Sequence, residues 1–309
     1  MTDCDVLVLG GGPAGVSAAI AAARRALGVL LVDPLGFGGR LINLDVLRDC
    51  PGPLDGMSGP ELAATLGEQA LMAGVDLRFA RAGAITAEPG GAGWRVDLDD
   101  GSTVRARAVV VATGTRNRPV PGDEGGDLAG RGVSYCAVCD APMFRNATVA
   151  VYGCDDRALA EVLTVGEHAS TIHWLVPAAA PPAAATHSDV VALRGLELHT
   201  ASEVVAVRAD ADGLVLTVAA AGAERELRVA GLFGAHGYLP NTDGFGAAIP
   251  VDPDGYVQSG PGGGFAGADR PGLFAAGDVR SGAAPYLAAA LGEGTAAGLA
   301  AAAYLLGSH

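Results

Sequence analysis

The sequence predicts an α/β fold built on two Rossmann-like units. Three observations carry this expectation: a glycine-rich turn between an apolar strand and a small-residue helix at the N-terminus, a weaker copy of that arrangement after residue 148, and two further apolar strands ending in Ala112-Thr-Gly114 and Gly277-Asp278. In the first unit, Asp5–Leu9 reads as a buried strand, and Gly10, Gly12 and Gly15 follow at G-x-G-x-x-G spacing around Pro13 and Ala14. Val16–Ala26 reads as helix, and Val29–Val32 as a second strand ending on Asp33. The chemistry suits a dinucleotide. Gly10 permits the tight turn, Gly12 lets backbone approach a pyrophosphate, and Gly15 lets helix and strand close up. The helix N-terminus favours phosphate, and Asp33 can accept from a ribose hydroxyl.

In the second unit, Thr148–Tyr152 is the strand, Gly153-Cys-Asp-Asp-Arg-Ala158 the turn, Leu159–Val165 the helix and Thr171–Leu175 the next strand. Val176–Ala185 is too rich in proline for helix and is expected to be an extended loop. Residues 189–228 alternate enough for several strands and turns, Leu214–Val218 among them.

Composition narrows the function. The 309 residues carry 20 basic and 34 acidic side chains, a net charge of −14, and every basic one is arginine. With no lysine, Schiff-base catalysis and a Walker-type phosphate lysine are excluded. The acidic balance argues against nucleic acid or an anionic membrane as partner. No uninterrupted apolar run reaches the roughly 18 residues of a membrane span; Ala178–Ala185 and Ala296–Leu306 are short and alanine-based. The N-terminus enters a strand at once, so a cytoplasmic protein is expected.

Two of the five cysteines form Tyr135-Cys136-Ala-Val-Cys139-Asp140. That spacing supports a readily exchanged disulfide. The other reading, half of a zinc site, needs two more ligands, and the sequence has no second Cys-x-x-Cys and no His-x-x-x-His. Redox chemistry is expected, and no metal.

The order GGGPAG, Phe37-Gly-Gly39, Cys50-Pro-Gly52, Ser58-Gly-Pro-Glu61, ATG, CAVCD, Leu239-Pro-Asn-Thr242 and FAAGD resembles the low-molecular-weight thioredoxin reductase family over nearly the full chain. The resemblance implies FAD and a homodimer. It implies FAD contacts from Gly10, Gly12, Pro13, Ala14, Gly15, Asp33, Gly39, Arg40, Ala112, Thr113, Gly114, Gly277 and Asp278, with Asp278 on the ribityl chain. The FAD domain would be split into 1–117 and 241–309, with a degenerate NAD(P)-type domain carrying the Cys-x-x-Cys inserted at 118–240. Cys139 would face the flavin, Cys136 would exchange with substrate, and Asp140 would be the acid–base group.

The chain departs from the family at three places. Asp155 replaces the middle glycine of the second turn, and Asp156 follows it. A side chain there blocks the pyrophosphate, and each like charge near 4 Å costs about 1 kcal/mol in water and about 4 at an effective dielectric of 20. Val176-Pro177-Ala178 stands where the family grips the 2′-phosphate of NADPH with His-Arg-Arg, and no acid ends that strand to suit NADH. Pro285-Tyr286 replaces the usual Arg-Gln. Flavin and disulfide kept without a nicotinamide site resemble the FAD-dependent dithiol oxidases of disulfide natural products such as gliotoxin and holomycin. That implies a small-molecule dithiol substrate and dioxygen as acceptor, giving peroxide. The alternatives are a reductase fed by NADPH or ferredoxin, and a non-catalytic flavin sensor.

Other residues receive plainer expectations. Cys4 is an inert hydrophobe and Cys154 structural. Cys50 either lines the active site or is a plain loop residue, and His236 is either a base near the thiols or a partner of local backbone. His173 belongs to a buried strand, while His168, His187, His199 and His309 are surface or loop positions. Tyr135, Phe144 and Tyr286 either line a substrate pocket or pack.

Overall fold

The computed structural model describes residues 3–44, 46–47, 50–51, 56–91, 93–177, 190, 192–260, 263–264 and 270–307. The expected loop over 178–185, with His187 and His309, lies outside them. The chain forms two compact units, residues 1–116 with 239–309, and residues 117–238. Both carry the expected Rossmann-like α/β layout.

In the first unit, β1 (Cys4–Leu9), β2 (Val29–Val32) and β3 (Asp76–Arg78) pair in parallel. The other edge of β1 pairs with β6 (Thr103–Val111). The first half of β6 pairs antiparallel with β5 (Trp94–Leu98), which pairs with β4 (Ala82–Ala87); its second half pairs in parallel with β17 (Leu273–Ala275). β1 and the second half of β6 are apolar runs because both faces of the sheet are covered there, whereas the first half of β6 alternates exposed and buried residues. Helix α1 spans Pro13–Ala23, three residues earlier at each end than its apolar pattern suggests. Pro13 fits the first helical position, where no donor is lost, and Ala26 at φ +60° lies beyond the end.

Helix α2 (Gly59–Met72) begins with a capping box: the Ser58 hydroxyl accepts from the Glu61 N–H and the Glu61 carboxylate accepts from the Ser58 N–H. The C-terminal helix α5 (Leu287–Leu306) is long and apolar enough, by length and composition, to cross a membrane. Its packing supplies another reason for that composition. A Cβ on Gly294 would stand 2.0 Å from the Ala14 carbonyl oxygen, and one on Gly298 2.3 Å from that of Ala18. Small residues let α5 lie backbone to backbone on α1.

In the second unit, β8 (Val133–Ser134), β9 (Thr148–Tyr152), β10 (Thr171–Leu175), β11 (Leu196–His199) and β15 (Gly231–Gly234) form a parallel sheet in the order β11-β10-β9-β15-β8. β12 (Ser202–Asp210), β13 (Gly213–Ala220) and β14 (Ala223–Val229) form an antiparallel meander. The core holds Trp174, Phe233 and Ile172, all fully buried, and the Trp174 indole donates to the Gly153 carbonyl. The short ribbon β7 (Thr115–Asn117) and β16 (Tyr238–Pro240) marks the two chain crossings.

Candidate active site

The first unit opens a cleft of about 880 Å³ at the C-terminal ends of its parallel strands, where α/β sheets bind ligands. Gly10, Gly12, Pro13, Ala14, Asp33, Gly39, Arg40, Ala112, Thr113, Gly114 and Asp278 all line it. Gly12 caps α1 with no side-chain acceptor, and no acid stands in the first turn. The helix therefore presents free backbone donors and its positive end to the cleft, as a pyrophosphate requires. Gly15 and Gly277 do not line the cleft. A Cβ on Gly15 would fall 1.8 Å from the Gly10 carbonyl oxygen, so Gly15 closes helix onto strand. Gly277, at φ +76°, donates its N–H to Glu293.

The Asp33 carboxylate accepts from the N–H groups of Gly11, Leu35 and Gly36 at 2.7–2.9 Å. A carboxylate has about four acceptor sites, so one remains for a ribose hydroxyl. Arg40 donates to Thr115 and reaches Asp278 at 3.3 Å. Burial pushes the Asp278 carboxyl above the usual carboxylate range, Arg40 opposes this, and Glu293 adds to it. Tyr286 and Pro285 also border the cleft, so the departure from the family's Arg-Gln falls at the cofactor site.

The second unit carries the redox pair. Cys136 and Cys139 are joined in a disulfide across the four-residue helix α3 (Ala137–Asp140). Cys136 Sγ sits at the N-cap and accepts from the Cys139 N–H at 3.3 Å. This is the geometry that stabilises a thiolate at a helix start. Cys139 is exposed and Cys136 half-buried. The Asp140 carboxylate accepts from the Ser134 hydroxyl at 2.7 Å, and Ser134 Oγ accepts from the Cys136 N–H at 3.1 Å.

Glu161, unremarked in the sequence, accepts from the Ala137 N–H at 2.7 Å. Burial pushes its carboxyl above the ordinary range, and Arg157 at 3.8 Å opposes that. It stands on α4 (Asp156–Gly166), one helical turn from Arg157. No local pattern distinguishes it from any other helical glutamate.

At the start of α4 the Asp155 carboxylate accepts from the Ala158 N–H at 2.9 Å, and Asp156 occupies the first turn. The anion position of this Rossmann turn is thus filled by the chain's own carboxylate. Gly153 keeps its structural role: a Cβ there would stand 2.0 Å from the Ala235 carbonyl oxygen. Beyond β10, Val176 is buried and Pro177 half-buried. Arg194 is exposed.

The remaining candidates separate. Cys50 is not among the cleft-lining residues and packs beside Leu41 and Leu47. The Cys4 thiol is pushed up to about 12 by burial, which makes it inert. Cys154 is exposed. His236 donates from Nε2 to the Pro119 carbonyl, packs on Tyr152, and has a buried Nδ1 without a partner; burial lowers its pKa. Tyr135 accepts from the Val120 N–H, and Phe144 packs edge-on against Phe233, so both are structural. His173, expected in a buried strand, and His199, expected at a loop or surface position but found on β11, have ring nitrogens 3.1 Å apart.

The model of the pyridine nucleotide-disulphide oxidoreductase family matches residues 4–294. A "Bifunctional thioredoxin reductase/thioredoxin" of Mycobacterium leprae is 34% identical over 96% of this chain, which spans 64% of that protein's length. A "Thioredoxin reductase" of Mycolicibacterium smegmatis is 33% identical over 96% of this chain and 94% of its own. The crystal structure of Lactococcus lactis thioredoxin reductase in its FR conformation superposes with a TM-score of 0.87 at 25% identity, covering 99% of this chain and 100% of that one. FAD is the cofactor of this fold, and the bare helix start, the glycine turn and the Asp278 carboxyl form a cleft that fits it. A flavin cleft on one Rossmann unit, a Cys-x-x-Cys disulfide on the other, and a match running nearly end to end leave one classification: the chain belongs to the pyridine nucleotide-disulphide oxidoreductase family.

Proposed function

We propose that this protein is an FAD-dependent thiol–disulfide oxidoreductase that takes no electrons from a nicotinamide at its second unit and oxidises dithiols. The observation that carries this reading is Asp155, whose carboxylate caps the α4 N-terminus where a dinucleotide pyrophosphate would sit. A dithiol whose first thiolate attacks Cys136 breaks the Cys136–Cys139 bond, forms a mixed disulfide and expels Cys139 as thiolate. The second thiol of the substrate then attacks its own mixed-disulfide sulfur, closes the product disulfide and expels Cys136. The Cys139 N–H that donates to Cys136 Sγ favours that departure. Asp140, held by Ser134, takes up or returns the thiol proton. The uncapped α1 start, Asp33 and Asp278 would hold FAD in the first unit, where it would supply the two-electron acceptor that lets the Cys136–Cys139 disulfide re-form, with dioxygen as the terminal oxidant giving peroxide.

A second reading, disulfide reduction of the thioredoxin reductase kind, is favoured by the relatives' names, and one of them is called NADPH-dependent. It requires NADPH or a donor such as ferredoxin. An anaerobic titration of the flavin absorbance near 450 nm separates the two. Bleaching by a small dithiol but not by NADPH, with peroxide formed on admitting air, is the expected result. Stoichiometric bleaching by NADPH establishes the reductase and refutes the oxidase.

A further inference from the structure

His173 on β10 and Glu197 and His199 on the edge strand β11 bring three ligand atoms together. The parallel register sets His173 opposite Glu197 and Leu175 opposite His199, so the two histidines share one face, two residues apart in register. His173 Nδ1 lies 3.1 Å from His199 Nε2 and 3.2 Å from Glu197 Oε2, and the last two atoms are 3.7 Å apart.

Hydrogen bonding alone accounts poorly for this triangle. The Arg225 guanidinium, which can only donate, lies 3.4 Å from His199 Nδ1. A neutral His199 then carries its proton on Nε2, directed at His173 Nδ1 as acceptor. That leaves the Glu197 carboxylate facing the His173 lone pair at 3.2 Å.

The dimensions of the triangle suit one ion. The three edges define a circle of radius about 1.95 Å. A point about 2.05 Å from each donor, the zinc distance to imidazole nitrogen and carboxylate oxygen, therefore lies about 0.65 Å out of their plane. In an ideal tetrahedron that height is one third of the bond length, about 0.7 Å. Two imidazoles and one carboxylate are a zinc donor set with a fourth position left to water.

The geometry points to a zinc site formed by His173, Glu197 and His199 on the β10–β11 edge of the second unit, with no residue in common with the flavin cleft or the Cys136–Cys139 pair. Arg225 is the charge that opposes it, and as an exposed side chain it swings aside when the ion binds. The site does not depend on the direction of the redox reaction.

The test is titration of the air-oxidised holoprotein with Co(II), then Zn(II). With Cys136 and Cys139 in a disulfide, neither offers a thiolate. The expected result is one Co(II) per chain, intense four-coordinate visible bands beyond the flavin absorption, no sulfur-to-metal charge transfer, and displacement by Zn(II). Glu197→Gln and His199→Asn, each at a partly exposed side chain, are expected to weaken binding by about tenfold or more with the flavin spectrum unchanged. Arg225→Gln is expected to tighten it. A pale six-coordinate spectrum, binding that survives both ligand variants, or binding lost in Cys154→Ser overturns the assignment.

Discussion

Replacing both carboxylates at the start of α4 measures what they cost a nicotinamide dinucleotide. In Asp155→Gly/Asp156→Asn the backbone is again bare at the middle position of the turn. Asp155 and Asp156 are exposed, so their repulsion of a phosphate lies near the aqueous limit, about 1 kcal/mol each at 4 Å. A bound phosphate also has to displace the Asp155 cap from the Ala158 N–H, worth about 1 kcal/mol. The sum is about 3 kcal/mol, roughly a hundredfold in affinity. The variant is expected to bind NADPH about a hundredfold more tightly than the parent, yet still weakly, because Val176 and Pro177 offer no charge to the 2′-phosphate. Glycine at an N-cap costs only a few tenths of a kcal/mol relative to aspartate, so melting stays close to the parent's. Equilibrium binding followed by nucleotide fluorescence, with flavin bleaching as a second readout, is the assay. A parent that binds NADPH with micromolar affinity refutes the reasoning, as does a variant no tighter than the parent.

Other expectations follow from the same geometry. Cys136→Ser should abolish thiol oxidation while the protein stays yellow, and Cys139→Ser should block flavin bleaching by thiols; turnover surviving in the first, or bleaching undiminished in the second, contradicts the assigned roles. Glu161 has a carboxyl raised by burial, so the folded state binds its proton more tightly than the unfolded chain does. The stability this contributes is present below the ordinary carboxylate pKa and is lost as pH rises through the raised value. Glu161→Gln, which keeps an acceptor for the Ala137 N–H, should therefore gain melting temperature over the parent as pH rises from 4 to 8; a pH-independent difference removes the charge from the explanation. Gly294→Ala places a Cβ 2.0 Å from the Ala14 carbonyl and should cost about 1–3 kcal/mol and loosen flavin binding through α1; a fully loaded variant with an unchanged melting point would show that the two helices adjust freely.

Much of the molecule was legible in the sequence because its signals are local. Gly10, Gly12 and Gly15 announce a turn whose backbone demands are met within a few residues, and the apolar strands announce a sheet covered on both faces. Cys136 and Cys139 are close enough in sequence to pair within one helical turn. Asp155 was readable as an obstacle, although only the structure showed it to be the cap of α4. The ends of α1 were misplaced because apolar periodicity ignores Pro13, a residue that starts helices without adding to an apolar face.

What sequence order alone determined is therefore the chemistry carried by contiguous residues: the dinucleotide turn and the disulfide. Tertiary structure decided everything that depends on which distant residues meet. Arg40 meets Asp278 across 238 positions of chain. Glu161 meets the N–H of Ala137 because α4 packs beside α3. His173 meets Glu197 and His199 only through the register of two parallel strands. A one-residue slip would turn those side chains to opposite faces of the sheet, and no local feature of the sequence specifies that register.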